Sequence, residues 1–401
     1  MTHGPAETRF PLGARLAPAE LSRDPYPALR RLQAEEPVSW IPALGMWYVT
    51  RHEDCHRVLL DDQNFTTVSP HSLIQATFGP QVLSSDGALH TRYKRAVRKG
   101  FLPGALRSTV EPRIEVLARA LVDEFAGHGA CELRASFASR LPVQTMLVLF
   151  GLPLSEEPRL RAWYDRFERA LANFERDEAV AQAATAAVAE FHAFLAEYMH
   201  AFAAQPGEGL LSLLVNAPAG QRLDDDEIRR NVSIIFFGGI STVEALILNT
   251  LYALDLHPEA RARVVADPAL LPGAIDETMR WLSPVQSATR HVTREVELHG
   301  VRLRPGDTVN CMLAAANRDP RVFTTPERFD MDRPEGGQHL GFAVGPHHCL
   351  GFHLARAEAR IALEVICSRL ADWRIDPAAR CTPEGYEFRQ PARLPLCWSV
   401  E

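Results

Sequence analysis

Apolar residues recur at three- and four-residue spacing over positions 110–125, the period of one buried helical face. The Ala-rich stretch 156–202 keeps a helical character, with few breakers before Pro206-Gly207. Positions 225–255 read as a single long helix, about 45 Å at roughly 1.5 Å per residue. The most apolar run, 232–256, is interrupted by Gly238, Gly239 and Glu244, which predicts a buried helix rather than a membrane span. Strand signals lie at the margins. Val38-Ser-Trp-Ile41 and 46–50 flank a turn containing Pro42 and Gly45, a hairpin signature. Further strand-like pieces at 295–298 and 308–313 are joined through His299-Gly300 and Pro305-Gly306. A last helix is expected from just after Cys349 to about Ala371. The pattern therefore predicts a mainly α protein with small β-sheets (α+β). No repeat or low-complexity linker divides it, so positions 1–401 read as one domain. Its β-rich margin covers about 36–60 and its helical body about 80–371.

Composition narrows the function. The 401 residues are 46% hydrophobic and 23% charged, enough apolar material for a deep core. A net charge of −7 argues against nucleic-acid binding through a basic surface. The seven cysteines, at 55, 131, 311, 349, 367, 381 and 397, are odd in number and scattered, with no C-x-x-C pair. That argues against a disulfide framework or a structural zinc site and fits a reducing, cytoplasmic setting. Positions 1–12 carry His, Glu, Arg and two prolines but no apolar core, so neither a signal peptide nor a membrane anchor is expected there.

The segment Phe342-Ala-Val-Gly345-Pro-His347-His-Cys349-Leu-Gly351 is Gly-rich and irregular, and it feeds a helix predicted to start near Cys349. A thiolate at a helix N-terminus is stabilised by the positive end of the dipole and by free backbone N–H groups. Gly345 and Gly351 would let a large flat ligand approach the backbone. Most isolated cysteines are small buried hydrophobes, and the other six fit that description. Cys349 differs, because a phenylalanine, two glycines and a histidine stand at set offsets around it.

This segment resembles the haem-binding signature of the cytochromes P-450, and Phe342, Gly345, His347, Cys349 and Gly351 fill every fixed position. The resemblance runs from Asp24-Pro-Tyr-Pro27 to Arg393-Leu-Pro395 and implies a triangular prism of helices around a buried haem b (iron protoporphyrin IX), with Cys349 as the metal ligand. An anionic sulfur on haem iron favours O–O cleavage. Glu277-Thr-Met-Arg280, weak by itself, is followed by Pro326-Glu-Arg-Phe329; the resemblance makes Glu277, Arg280 and Arg328 a structural network under the haem pocket. Gly238-Gly239-Ile-Ser241-Thr242 resembles the family's oxygen-binding groove, in which the threonine serves oxygen binding and proton delivery. The glycines cost about 1 kcal/mol each relative to alanine. Close packing or a ligand beside a distorted turn would account for them. The family's usual acid is here Ser241, which is no carboxylate relay near neutral pH. The expectation is less efficient oxygen activation, not its loss. Glu244, offset by about 200° from Thr242 at 100° per residue, should face away as a paired structural carboxylate.

The haem propionates need cations when buried. By resemblance His90, Lys94, Arg290 and His347 provide them, with Lys94 standing where arginine is common. Arg92, Arg95, Arg98 and Lys99 are left to form a basic face, and the resemblance implies a ferredoxin-like electron donor there, served by a reductase and NAD(P)H. Pocket walls implied by position are Leu73, Ile74, Phe78, Leu83, Ile235, Val285, Gln286, Ser287, Ala288, Thr289 and Phe388, with Trp163, Phe167 and Phe174 in the lid region. The activity implied is insertion of one atom of dioxygen into a small hydrophobic substrate, a natural-product intermediate being favoured. Ser241 keeps open a haem-thiolate enzyme that couples substrates oxidatively or uses peroxide. A non-catalytic haem sensor is the reading against which Thr242 and the glycine groove argue.

Overall fold

The long apolar helix expected in the middle of the chain is the beam on which the others pack. The computed structural model describes residues 9–70, 72–171, 173 and 177–400. Among them the helices of eight or more residues are α1 (Tyr26–Glu35), α2 (His52–Leu60), α3 (Gly87–Arg98), α4 (Glu111–Asp123), α5 (Leu141–Phe150), α6 (Glu157–Leu171), α7 (Glu178–Ala204), α8 (Asp225–Leu256), α9 (Pro258–Ala266), α10 (Leu271–Trp281) and α11 (Phe352–Arg369). A capping box starts α8: Asp224 accepts from the Glu227 N–H and Glu227 accepts from the Asp224 N–H. Around α8 stand α5, α7, α10 and α11, and α4 covers the other side of α11. Among the described residues two helices, α7 and α8, are long and apolar enough to cross a membrane by length and composition alone. Here α8 is a core helix, with Val232, Phe236, Ile247 and Leu251 at most 1% exposed.

The stretch of helical character from 156 to 202 is two helices, α6 and α7. Asp177 ends the continuity, because its carboxylate caps α7 by accepting the N–H groups of Ala179 and Val180. Phe174 lies outside the described residues. The helix expected at 110–125 is α4, preceded by one π-helical turn at Leu106–Val110.

The expected hairpin is present as β1 (Val38–Ile41) and β2 (Met46–Val49), with Val38 opposite Val49. With β3 (Phe65–Thr66), β5 (Ala288–Val292) and β8 (Thr308–Cys311) they form one sheet in the order β1-β2-β8-β5-β3. Thus 308–313 does not pair with 295–298. Instead β6 (Val296–Leu298) pairs with β7 (Val301–Leu303). A three-stranded sheet joins β4 (Ala130–Glu132), β12 (Pro395–Ser399) and β9 (Ala371–Ile375), and β10 (Pro383–Glu384) pairs with β11 (Gln390–Pro391).

One buried acid ties α11 to α5. Glu358 is 1% exposed, and Thr145 Oγ1 donates to it at 3.0 Å. Burial raises its pKa to about 8, with the Thr145 hydrogen bond pulling the other way. The folded state therefore binds a proton that the unfolded state has released, and stability falls as pH rises from the ordinary carboxylate range to about 8. Glu358→Gln is expected to remove that slope, which approaches about 1.4 kcal/mol per pH unit. Urea midpoints measured from pH 5 to 8 check it; parallel slopes in the two proteins would contradict it.

Candidate active site

The cysteine loop is held by its backbone before any ligand is considered. Ala343 and Gly345 have φ of 53° and 78°, the Cys349 N–H donates to Phe342 O at 2.9 Å, and His348 N–H donates to Gly345 O at 3.0 Å. A Cβ on Gly345 would lie 2.8 Å from Leu59 O, so the close approach of the α2 end requires glycine there. Gly351 is the N-cap of α11, which places Cys349 just ahead of the helix rather than in it. Burial raises the thiol pKa, while the Gly351 N–H and the charges of Lys94 and Arg356 lower it. Arg356 also stacks on the Phe342 ring at 4.9 Å and pairs with Asp276 at 2.7 Å.

Cys349 lines a cavity of about 940 Å³ together with Gly238, Gly239 and Thr242 of α8. The two glycines have different reasons. A Cβ on Gly239 would meet Met146 Sδ at 2.6 Å, so this position serves packing against α5, whereas nothing lies within 4 Å of a Cβ on Gly238. Thr242 Oγ1 donates to Gly238 O at 2.7 Å, and α8 runs through this region without a break, so of the two readings of the glycines the distorted turn is not seen. Ser241 does not line the cavity. It is 3% exposed, and one step of 100° around α8 turns it from Thr242 toward the buried Tyr164. Glu244 faces away, as its angular offset predicts, and accepts from Arg134 Nε at 2.5 Å and Gln390 Nε2 at 3.3 Å.

His90 and Lys94 of α3, Arg290 of β5 and His347 all line the same cavity. The His90 and His347 rings are 4.3 Å apart, and His347 Nε2 is 2.8 Å from Asp86 Oδ1, itself held by Thr66 and Thr67. Lys94 reaches the carbonyls of Pro346 and His348. Burial, then His347 and Lys94, lower His90 to a pKa of about 4, and burial also lowers Arg290 and Lys94. The two histidines are depressed by their basic neighbours, His90 by His347 and Lys94 and His347 by Arg290 and Lys94, and a bound dianion would relieve them. With a thiol among them, these donors fit a haem whose propionates lie against that wall and whose iron meets Cys349.

Two expectations about the walls need correction. Phe78 is 1% exposed and packs edge-on against Phe167 at 5.2 Å, behind the cavity surface. Gln286 also stays behind it, its amide donating to Ser283 O at 2.6 Å. Leu73, Ile74, Leu83, Ile235, Val285, Ser287, Ala288, Thr289 and Phe388 do line it. Trp163 and Phe167 form the interface of α6 with α7 through Phe191. Sequence reasoning missed Glu387, a carboxylate on the cavity wall; its only signal was its place beside Phe388.

The supporting network also differs by one residue. Arg280 grips Glu277 through two hydrogen bonds of 2.8 and 2.7 Å and donates to the carbonyls of Asn317, Pro326 and Arg328. The second guanidinium is Arg333, 3.3 Å from Glu277, not Arg328. Arg328 turns its side chain to solvent, 72% exposed, and offers only its carbonyl. A turn closed by the Arg333 N–H to Asp330 O at 3.2 Å lies between the two arginines, and the later one faces Glu277.

A helical body that sets a cysteine loop against a glycine-threonine groove, with a basic wall between, defines a haem-thiolate protein. A family model described as Cytochrome P450 matches residues 38–377. The chain is 35% identical over 371 residues to the cytochrome P450 monooxygenase PikC of Streptomyces venezuelae, covering 89% of this chain and 86% of that one. It is 34% identical over 382 residues to the mycinamicin IV hydroxylase/epoxidase of Micromonospora griseorubida, covering 92% and 94%. The crystal structure of CalO2 superposes with a TM-score of 0.88 at 30% identity, covering 96% of this chain and 99% of that one. This chain belongs to the cytochrome P450 family, and it is an oxidoreductase of the monooxygenase kind.

Proposed function

We propose that this chain is a cytoplasmic monooxygenase that inserts one oxygen atom from dioxygen into a small hydrophobic natural-product intermediate. The observation that carries the reading is the cavity of about 940 Å³, walled mostly by apolar side chains, between Cys349 and the Gly238–Thr242 groove. Haem, when bound, supplies reductive activation of dioxygen, one atom going to substrate and the other leaving as water. The protein's part is positional. Cys349 holds the iron, while His90, Lys94, Arg290 and His347 take the propionates. Leu73, Ile235, Val285 and Phe388 exclude water and orient the substrate. The Thr242 hydroxyl, held by Gly238 O, is the proton-handling group of the groove. Turnover under labelled dioxygen should place one label in the product. Coupled or rearranged products without label would favour oxidative coupling, and turnover with peroxide alone would favour the peroxide-driven alternative. Ser241 supports keeping these readings in view, because its hydroxyl turns away from the groove and brings no acid to it.

Electrons are proposed to come from NAD(P)H through a reductase and a ferredoxin-like donor. Arg95 and Arg98 of α3 and Lys99 just beyond its end are exposed and support this docking face, whereas Arg92 is committed to Glu227 at 2.5 and 2.7 Å. Reduction by such a donor should slow several-fold between low and physiological salt, over which the screening length shortens from about 30 to 8 Å. Stopped-flow reduction at two ionic strengths checks it; equal rates would remove the patch from the account.

A further inference from the structure

The cavity wall contains a carboxylate that the oxygen chemistry does not use. Glu387 sits in the turn between β10 and β11, and that turn is rigid. Gly385 has φ of 122°, and a Cβ there would lie 1.8 Å from Phe388 O, so only glycine allows this chain reversal. The turn is stitched to the segment before β5 by Arg389 N–H to Pro284 O at 2.8 Å and Gln286 N–H to Glu387 O at 2.9 Å. A bridge between Val285 and Phe388 completes the join. Glu387 and Phe388 are thereby held side by side on the cavity surface.

The carboxylate is incompletely satisfied. Ser287 Oγ donates to Oε2 at 2.6 Å, but among the described residues Oε1 receives only a long contact of 3.5 Å from Asn310 Nδ2. An ionised carboxylate accepts up to about four hydrogen bonds. No cation of the described residues pairs with it, and burial raises its pKa. Glu387 is half-buried on the cavity surface, and a carboxylate withdrawn from water without a counter-charge is costly, so a ligand that fills this wall is favoured if it brings a cation. Asp307, also on the wall, is different: it already accepts from Trp47 Nε1 and the Arg304 N–H. The lysine and the arginine that line the cavity, Lys94 and Arg290, stand in the basic wall assigned to the propionates.

We propose that Glu387 anchors a positively charged nitrogen of the substrate, making this a pocket for amphipathic amines. The inference rests on the haem-pocket reading for the identity of the cavity, and it names the polar feature by which that pocket selects its ligand. Ser287 is a positioning residue here, since it orients the carboxylate without needing to touch the ligand.

Calorimetric titration of the ferric holoprotein tests it with n-nonyltrimethylammonium, whose quaternary nitrogen cannot ligate iron, and with 1-nonanol and nonanoate of equal chain length. The expected order of affinity is ammonium, alcohol, carboxylate. Glu387→Gln should weaken the ammonium at least about tenfold, as loss of one partner of a buried charge pair does, and change the alcohol less than about threefold. Unchanged ammonium affinity, or an equal loss for the alcohol, would overturn the proposal. Should Glu387→Gln fail to fold, Glu387→Asp retracts the same charge by one methylene. It should weaken the ammonium alone, and wild-type affinity in that variant would again overturn the proposal. The carbon monoxide spectrum of the same samples separates the two levels. A thiolate-type band with no ammonium preference sinks the anchor alone, whereas its absence sinks the haem reading.

Discussion

Glu277→Ala is expected to lose about 3–5 kcal/mol of stability, the penalty for removing one partner of a buried charge pair. Both Arg280 and Arg333 would then be left without their shared anion, with side chains 0% and 4% exposed. Such a loss is a large part of the stability of an ordinary domain, about 5–15 kcal/mol, and reaches its lower end. The variant should accordingly accumulate poorly and melt without a cooperative haem-loaded transition. Arg333→Ala is expected to follow it closely. Arg328→Ala, at an exposed side chain, should stay within about 0.5 kcal/mol of the parent. Denaturant midpoints of the three variants check the assignment. An Arg328 variant as damaged as the Arg333 variant would return the network to the residue that the sequence first suggested.

Replacing Cys349 by serine is the second large effect expected. The loop geometry depends on the Cys349 N–H to Phe342 O bond and on the conformations of Ala343 and Gly345, none of which uses the sulfur. The fold should therefore survive, with unchanged circular dichroism. Reductive oxygen activation should fall to background, because a neutral hydroxyl lacks the electron push of a thiolate. Turnover with a ferredoxin-type donor measures this. Retained turnover would show that another group holds the metal.

Much of this molecule could be read from its residues, for reasons that differ from place to place. The long helix was legible because its apolar run is local and its capping acid is adjacent. The cysteine loop was legible from its motif, but the reason read for Gly345 was not the right one: it makes room for Leu59 O and does not line the cavity, whereas Gly351 does. What failed depended on facing. Ser241 occupies the position of an acid in the groove, yet its direction is set by the turn of α8 against α6, which spacing in a motif does not state. Arg328 matched in order and type, and only the turn before Arg333 decided which arginine is buried. Phe78 was placed in the right region and one layer too far forward. Glu387 was invisible because strands of two residues, β10 and β11, show no period-two pattern to announce the turn that carries it.

The central claim is that the Cys349 sulfur binds haem iron as a thiolate. The most direct measurement is the carbon monoxide difference spectrum of the reduced, haem-loaded protein beside its Cys349→Ser variant. The account predicts the red-shifted Soret band of a thiolate-ligated haem in the parent and its disappearance in the variant. A parent spectrum typical of a neutral nitrogen ligand, or one that the substitution leaves unchanged, would contradict it.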